Sequence, residues 1–514
     1  MGQLLSARSN RVGGPRPSDA RIRATGTVTP NPNSSAGVVT AAMRRPALAA
    51  AIDRHSEIFD RIDAHRIAIA MDNSIDWLAA DLAALATNRV TVPLPPFFSQ
   101  AQQQHVIESS GVDTLLLDDI ASSGPASRFA GFRACASDEG VTWLKRGLSC
   151  PPDLPRRSFK ISYTSGSTGS PKGACLSASM LETVAASLVE RTHDLGIQRH
   201  LSLLPLAVLL ENIAGTWAAL LSDAELQIPN LAETGLNGSS GLDPSQLATC
   251  LQKYQPESII VLPQMLEALC HLAESGLLDP SGLKFVAVGG AHTPLPLLHR
   301  ARESGLPVYE GYGLTECGSV VCLNIPGHDR PGSVGKPLGH IGVDTSKSGE
   351  LRLSGPHHLG YVGGHSSETQ ADDAFPSGDL GRVDSDGFVH VAGRIDNRYS
   401  TAWGRNISPE WIESLLNGQP EIAQCFVHGR NLAFNIAIIV PRGSDPAHVD
   451  RAVGRCNREL PDYARIACWQ IRNEHFAPND STTTPNGRLR RQAILSRHGK
   501  QIEAMISMKQ GNTG

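Results

Sequence analysis

Apolar and polar positions along this chain alternate between two periods. Ile67 to Met71 is a short apolar run, Trp77 to Ala86 repeats apolar residues at helical spacing, and Val90 to Leu94 is again a short run. Strand, helix, strand is the pattern of a βαβ unit in a largely parallel sheet, and it predicts an α/β fold. The pattern returns with a strand over Ser258 to Leu262, a helix over Gln264 to Ser275 and a buried strand over Phe285 to Val288. That last strand runs into Gly289-Gly290, and glycines at the carboxyl end of a strand suit the close approach of a ligand. After about Gly355 the texture changes: Gly360, Gly363, Gly364, Gly378, Gly381, Gly387 and Gly393 punctuate short β-prone stretches such as Phe388 to Val391. This predicts hairpins rather than crossovers. From Arg394 the chain resumes mixed elements, including Pro409 to Leu416, Ile436 to Val440 and a basic tail. The expected organisation is a leader over residues 1–35, a large domain over 36–393 and a small domain over 394–514.

Length and composition narrow the field. A chain of 514 residues exceeds what one hydrophobic core supports, so several layers or domains are expected. Its 46 basic and 50 acidic residues are well mixed at a formal charge of −4, which provides no field for nucleic acid or an anionic membrane. Ten cysteines are scattered without a C-x-x-C pair, against structural zinc and against a disulfide framework. No window is apolar enough for a stable membrane span, and a cytoplasmic location is expected. Met1-Gly2-Gln3-Leu4-Leu5-Ser6 fits a short myristoylation pattern, but a Pro-, Ser- and Gly-rich leader is the plainer reading.

The most specific signal is Tyr163-Thr164-Ser165-Gly166-Ser167-Thr168-Gly169-Ser170-Pro171-Lys172-Gly173, which follows the β-prone Phe159 to Tyr163. Glycines let backbone N–H groups turn toward a polyanion, hydroxyls add donors, and Lys172 supplies charge. It is not a Walker loop, because the G-x-x-x-x-G-K-[ST] order is absent. The segment resembles the signature of the adenylate-forming superfamily, which includes acyl-CoA synthetases, luciferase-like enzymes and peptide-synthetase adenylation domains. Five later segments extend the resemblance in order: Gly289-Gly290-Ala291-His292, Tyr309 to Glu316, Ser377-Gly378-Asp379, Gly393-Arg394-Ile395-Asp396 and Asn486-Gly487-Arg488.

The resemblance implies a large domain of stacked mixed and parallel sheets with helices plus a distorted β-barrel, and a small mobile α+β lid. It also implies ATP-dependent activation of a carboxylic acid to an acyl-adenylate, followed by transfer to coenzyme A or a phosphopantetheine arm. Lys172 with Thr164, Ser165, Gly166, Ser167, Thr168 and Gly169 would hold the outer phosphates, and Glu316 with Thr164 would hold Mg²⁺. Thr315 would touch the α-phosphate. Gly290, Ala291, Glu310, Gly311, Tyr312 and Gly313 would line the adenine side, while Asp379 and Arg394 would bind ribose. Asp396 occupies the hinge position, and Arg488 falls where the family carries its catalytic lysine.

Three departures qualify this picture. Arg488 keeps the positive charge, but a planar fork is not a compact ammonium. Trp403 stands before Gly404 where many relatives have a glycine lining the thiol channel. Val208 replaces a histidine within Leu204-Pro205-Leu206-Ala207-Val208-Leu209-Leu210-Glu211, a segment that resembles one in long-chain synthetases. Apolar residues here suit a hydrocarbon or aryl acid, with a fatty acid preferred, although most of Leu203 to Leu210 reads equally well as core. Two alternatives stay open: an adenylate-binding protein with lost or partial activity, and an enzyme that delivers the acyl group to an amine or alcohol. An acyl carrier protein is a candidate partner.

Overall fold

The computed structural model describes residues 37–118, 129–148, 150–164, 171–237, 241–364, 374–402, 404–443, 445–484 and 487–511. The leader, Trp403, Pro485 and Asn486 lie outside the described residues.

The first sheet is built around β1 (Arg66–Ala70), β2 (Val90–Pro93) and β3 (Thr114–Asp118), which pair in parallel. Antiparallel β4 (Arg133–Asp138) and β5 (Val141–Lys145) extend one edge, and β6 (Ser158–Thr164) with β7 (Lys172–Ser177) extends the other as a hairpin. The helix Ile75–Ala86 connects β1 to β2. It starts where the Ser74 hydroxyl accepts the Trp77 N–H, and every residue from Trp77 to Leu85 is buried. Such a helix is buried all round because protein covers each of its faces, the one charged residue of this stretch, Asp81, included.

A second sheet of seven strands carries the parallel set β8 (Arg199–Leu201), β9 (Glu225–Gln227), β12 (Ser258–Val261), β13 (Phe285–Val288) and β14 (Val308–Leu314). A two-stranded ribbon, β10 (Leu236–Asn237) and β11 (Gly241–Leu242), lies between β9 and β12 in the chain. Antiparallel β15 (Ser319–Leu323) and β16 (Lys336–Pro337) close its far edge. One buried cluster joins Ile67 and Ile69 of β1 to Phe285, Val320 and Leu323 of the second sheet. It includes Trp77, Leu181 and Ile213, so the helices Ile75–Ala86 and Ala178–Thr192 and a π-helix at Leu210–Trp217 fill the layer between the sheets. Val286 and Val288 turn the other way, into a separate cluster with Leu266 and Leu298. This alternation is the period of two that a strand imposes.

The glycine-punctuated region forms a half-barrel sheet of four antiparallel strands, β17 (Gly342–Thr345), β18 (Glu350–Ser354), β19 (Phe375–Val383) and β20 (Val389–Arg394). Beyond it come a short pair, β21 (Tyr399–Ser400) and β22 (Asn406–Ile407), and a three-stranded sheet of β23 (Ile422–His428), β24 (Asn435–Pro441) and β25 (Ile466–Ile471). Two buried clusters here, one around Ile412 and Val453 and one around Phe426 and Ile494, draw only on residues from Tyr399 onward. The expected elements therefore stand close to their predicted limits: helices at Pro263–Glu274 and Pro409–Asn417, and strands at β12, β13 and β24. No helix among the described residues is long and apolar enough to cross a membrane.

Candidate functional site

A cavity of about 1320 Å³ runs between the second sheet and the π-helix and opens where residues 394–511 meet the large domain. Six basic side chains line it (Lys172, Arg394, Arg430, Arg488, Arg490 and Arg491), against two acidic ones, Glu316 and Asp396. A low-dielectric cleft of one dominant sign concentrates a polyanion.

Lys172 is the first residue of β7 and pairs in register with Thr164 at the end of β6, so the two are the posts of a hairpin. The proposed phosphate-loop residues Ser165, Gly166, Ser167, Thr168 and Gly169 lie outside the described residues. Glu316 sits in a single 3₁₀ turn, Thr315–Cys317, between β14 and β15. The tightness of that hairpin depends on Gly313, where a Cβ would lie 1.7 Å from the Ser319 carbonyl oxygen. The Glu316 carboxylate accepts a hydrogen bond of 2.8 Å from the Tyr361 hydroxyl. Tyr361 is held by its own backbone: Leu359, Tyr361 and Val362 add to the edge of β7 through Cys175, Ala174 and Gly173. The sequence reading passed over Tyr361, whose only signal was a tyrosine set among glycines, Gly360-Tyr361-Val362-Gly363.

Tyr312, Asp379 and Arg394 are joined. The Tyr312 hydroxyl donates to Asp379 Oδ2 at 2.6 Å, and Arg394 Nη1 donates to Asp379 Oδ1 at 3.1 Å and to the Ser377 carbonyl at 3.0 Å. Cross-strand register puts Asp379 of β19 opposite Arg394 of β20. Burial, and then the neighbouring Asp379 charge, hold the Tyr312 phenol well above its usual range. Gly290, Gly311, Tyr312, Gly313 and Thr315 line the cavity.

Glu310 is placed differently from expectation. It points out of strand β14 into the protein, is 6 % exposed, and accepts the Gly332 N–H at 3.0 Å. Burial pushes its carboxyl up to about 8. A neutral, enclosed carboxyl on the opposite strand face from Tyr309 and Gly311 fits a structural role better than an adenine contact. Ala291 and Asp379 also stand behind the cavity lining, Asp379 through its bond to Tyr312.

Arg488 reaches the cavity in a pose the sequence did not suggest. Its Nε and Nη2 both donate to the Gly290 carbonyl, at 3.1 and 2.9 Å, so the fork grips the loop after β13 from across the domain junction. The Arg442–Glu267 ion pair and the His292–Ser414 hydrogen bond tie the same junction. Next to it, half-buried Arg491 pairs with Glu413 and donates to the Val427 carbonyl at 3.1 Å.

An AMP-binding enzyme model matches residues 62–362, and an AMP-binding enzyme C-terminal domain model matches residues 396–510. The chain belongs to the AMP-binding enzyme family. It is similar to the long-chain-fatty-acid–CoA ligase FadD15 of Mycobacterium bovis, at 25 % identity over 86 % of this chain and 88 % of that one. It is also similar to a feruloyl-CoA synthase of an Amycolatopsis species, at 29 % identity over 71 % of this chain and 75 % of that one. Among solved structures, an anthranilate CoA ligase, AuaEII, in complex with anthranoyl-AMP superposes with a TM-score of 0.74 at 17 % identity, covering 90 % of this chain and 97 % of that one. As an AMP-binding enzyme the chain is an AMP-forming acid–thiol ligase of the acyl-CoA synthetase kind, as the motifs led one to expect. The preference for a fatty acid goes further than these relatives, which include aryl-acid ligases.

The residues present fit a nucleotide with magnesium. Mg²⁺ is usually held by one or two carboxylates plus phosphate oxygens, and Glu316 supplies a carboxylate to the same cavity that Lys172 lines.

Proposed function

We propose that this enzyme joins a carboxylic acid to AMP at the cation-lined end of the cavity and then passes the acyl group to the thiol of coenzyme A. The observation that carries this reading is that Lys172 and Glu316, far apart in sequence, line one cavity with Arg394 and Arg488. Lys172 with Ser165, Gly166, Ser167, Thr168 and Gly169 would hold the outer phosphates, and Glu316 would hold Mg²⁺, its carboxylate fixed by the hydrogen bond from Tyr361. The ion, when bound, neutralises charge on the phosphates as pyrophosphate leaves. Asp379 and Arg394 address the ribose and Tyr312 the base; a carboxylate oxygen has two lone pairs, so Asp379 keeps acceptor capacity beside its present partners. Arg488 contributes positive charge where the acid carboxylate meets the α-phosphate, and positioning of this kind supplies much of the barrier lowering in such reactions. We place the junction of large domain and lid at about Arg394, with Asp396 as the hinge. Free thiols throughout the described residues accord with a reducing cytoplasm.

The acid is a hydrocarbon or aryl carboxylate. Within the segment Leu203 to Glu211, Leu203, Leu204 and Leu206 are core, whereas Ala207, Val208, Leu209 and Leu210 line the cavity. Mass-spectrometric detection of acyl-AMP and acyl-CoA across short, long and aromatic acids tests the proposal. Acyl-AMP that depends on Lys172 is expected; pyrophosphate exchange absent with every acid would overturn it.

A further inference from the structure

The cavity continues past Ala207–Leu210 along one face of the second sheet. Strand periodicity and register put Ser258 and Ile260 of β12 beside Phe285 and Ala287 of β13 on that face, and all four line the cavity. Across from them the wall is Leu210, Ala214 and Ala218. Among these sheet and π-helix residues the polar groups gather at one place. There His200 of β8, the register partner of Ser258, hydrogen-bonds the Ser258 hydroxyl through Nδ1 at 2.8 Å. Its Nε2 faces Glu211 Oε1 of the π-helix at 3.1 Å. Glu211 Oε2 accepts the Leu204 N–H at 3.2 Å.

All three groups are enclosed: His200 and Ser258 are 5 % exposed and Glu211 is 0 % exposed. His200 and Ser258 still line the cavity, as does Gly215 beside them. Gly215 makes the cluster possible. A Cβ there would lie 2.2 Å from Glu211 Oε1 and 2.8 Å from His200 Nε2. An unsubstituted hydrocarbon makes no use of a polar cluster on its wall, whose three members are satisfied by their own hydrogen bonds.

Hydrogen-bond bookkeeping leaves one site over. Glu211 Oε2 accepts the Leu204 N–H, Oε1 shares a hydrogen with His200 Nε2, and His200 Nδ1 shares one with the Ser258 hydroxyl. A hydroxyl oxygen has two lone pairs, so Ser258 keeps an acceptor site whichever of the two holds that hydrogen. A donor in the cavity can fill it.

We propose that this cluster is a distal specificity site, at which Ser258 accepts a hydrogen bond from a hydroxyl group near the far end of the acid being activated. Ser258 is level with Phe285, four residues before Gly289, so it lies roughly 13 Å from the glycine shelf at ~3.3 Å per residue. An extended chain advances ~1.2 Å per bond, so that span corresponds to about eleven bonds. The substrate class is a medium- to long-chain hydroxy acid, rather than a plain fatty acid.

The proposal rests on the acid-activation reading, and one pair of measurements separates the two. Dodecanoic, 12-hydroxydodecanoic and 12-methoxydodecanoic acids are compared with hexanoic and 6-hydroxyhexanoic acids, by acyl-AMP formation and by calorimetric binding without ATP. Wild type is expected to favour the 12-hydroxy acid over both of its partners by ~5- to 10-fold in kcat/KM and in Kd, and to show no such preference in the six-carbon pair. Ser258→Ala should bring the long-chain ratio to about one, and Ser258→Thr, which keeps the hydroxyl, should restore it; equal melting temperatures identify correctly folded variants. Equal handling of the three long acids, a preference for the methoxy acid, a preference that survives Ser258→Ala, or no binding of any acid would overturn the proposal. No acyl-AMP from any acid, with the binding preference intact, would overturn the activation reading and leave the site standing.

Discussion

At the nucleotide end of the cavity, Lys172 stands exposed on a hairpin post and Arg488 reaches across a domain junction to one backbone oxygen. At the other end Glu211, His200 and Ser258 are buried and bonded to one another, on a π-helix and two strands of a closed sheet. Behind the π-helix lies a second enclosed network. Lys160, 0 % exposed, donates to Asp81 at 2.5 Å and to Asn212 at 2.7 Å, with the rings of Trp77, Phe159 and Trp217 around its ammonium. The difference concerns what each charge must do. Groups that meet phosphates need solvent access and spare hydrogen-bonding capacity, which exposed Lys172 has. Groups that shape a pocket must hold one geometry, and mutual satisfaction in a low dielectric enforces it. The π-helix carries both Glu211 and Asn212, so the two networks fix neighbouring faces of it. π-helical turns are rare and recur at functional sites, which fits its place on the cavity wall.

This contrast predicts a ranking of effects. Lys160→Met should be the most damaging to the fold, because it leaves Asp81 buried without its cation; a loss of about 3–5 kcal/mol is expected in urea denaturation. Replacing both partners with apolar residues should recover most of it. Lys172→Ala should do the opposite, leaving the denaturation midpoint nearly unchanged while lowering kcat/KM for acyl-AMP formation by about 10²–10³. A large fall in stability there, or a small fall in rate, would break the distinction between the two ends.

Glu310 offers a finer test. Its folded value of about 8 lies above the ordinary 4.5, so between those limits the folded chain holds a proton that the unfolded chain has lost. The resulting stabilisation is complete below pH 4.5, declines as pH rises and is gone above about 8. Glu310→Gln should flatten that decline, which has a slope of at most about 1.4 kcal/mol per pH unit, in denaturation series across the range. Arg442→Ala should have the smallest effect, ~1 kcal/mol or less, since its pair with Glu267 is partly solvated; high salt should mimic it.

The fold was legible wherever burial is one-sided or total over a whole element. Phe285 to Val288 and the run from Trp77 declare themselves because each residue's environment repeats at a fixed period. The hairpins were legible from glycines such as Gly387, which turns the chain between β19 and β20 at positive φ. The cation-lined end of the cavity was legible because its groups lie in short contiguous motifs. Lys172, Thr315, Glu316 and Arg394 do share the cavity with Arg488. The distal cluster was not legible. Glu211 was visible only as the last residue of an apolar segment, and nothing in the chain's pattern connects it with His200 or Ser258, which meet through sheet register. Glu310 misled for a related reason: it sits inside a motif, but strand alternation turns it away from its neighbours. Tyr361 and Arg491 were missed because contacts that cross the fold, to Glu316 and to Glu413, give them their places.

The Arg488 grip on Gly290 has a consequence for how the lid can be tuned. Its acceptor is a main-chain oxygen, present whatever side chain occupies that position, so no substitution of the acceptor residue deletes the hold outright. Both donors converge on a single atom that water can serve equally well, which makes the contact a latch that opens without leaving a stranded charge. Changes in how long the closed arrangement lasts must therefore enter through the arginine, or through the slack in the loop it holds.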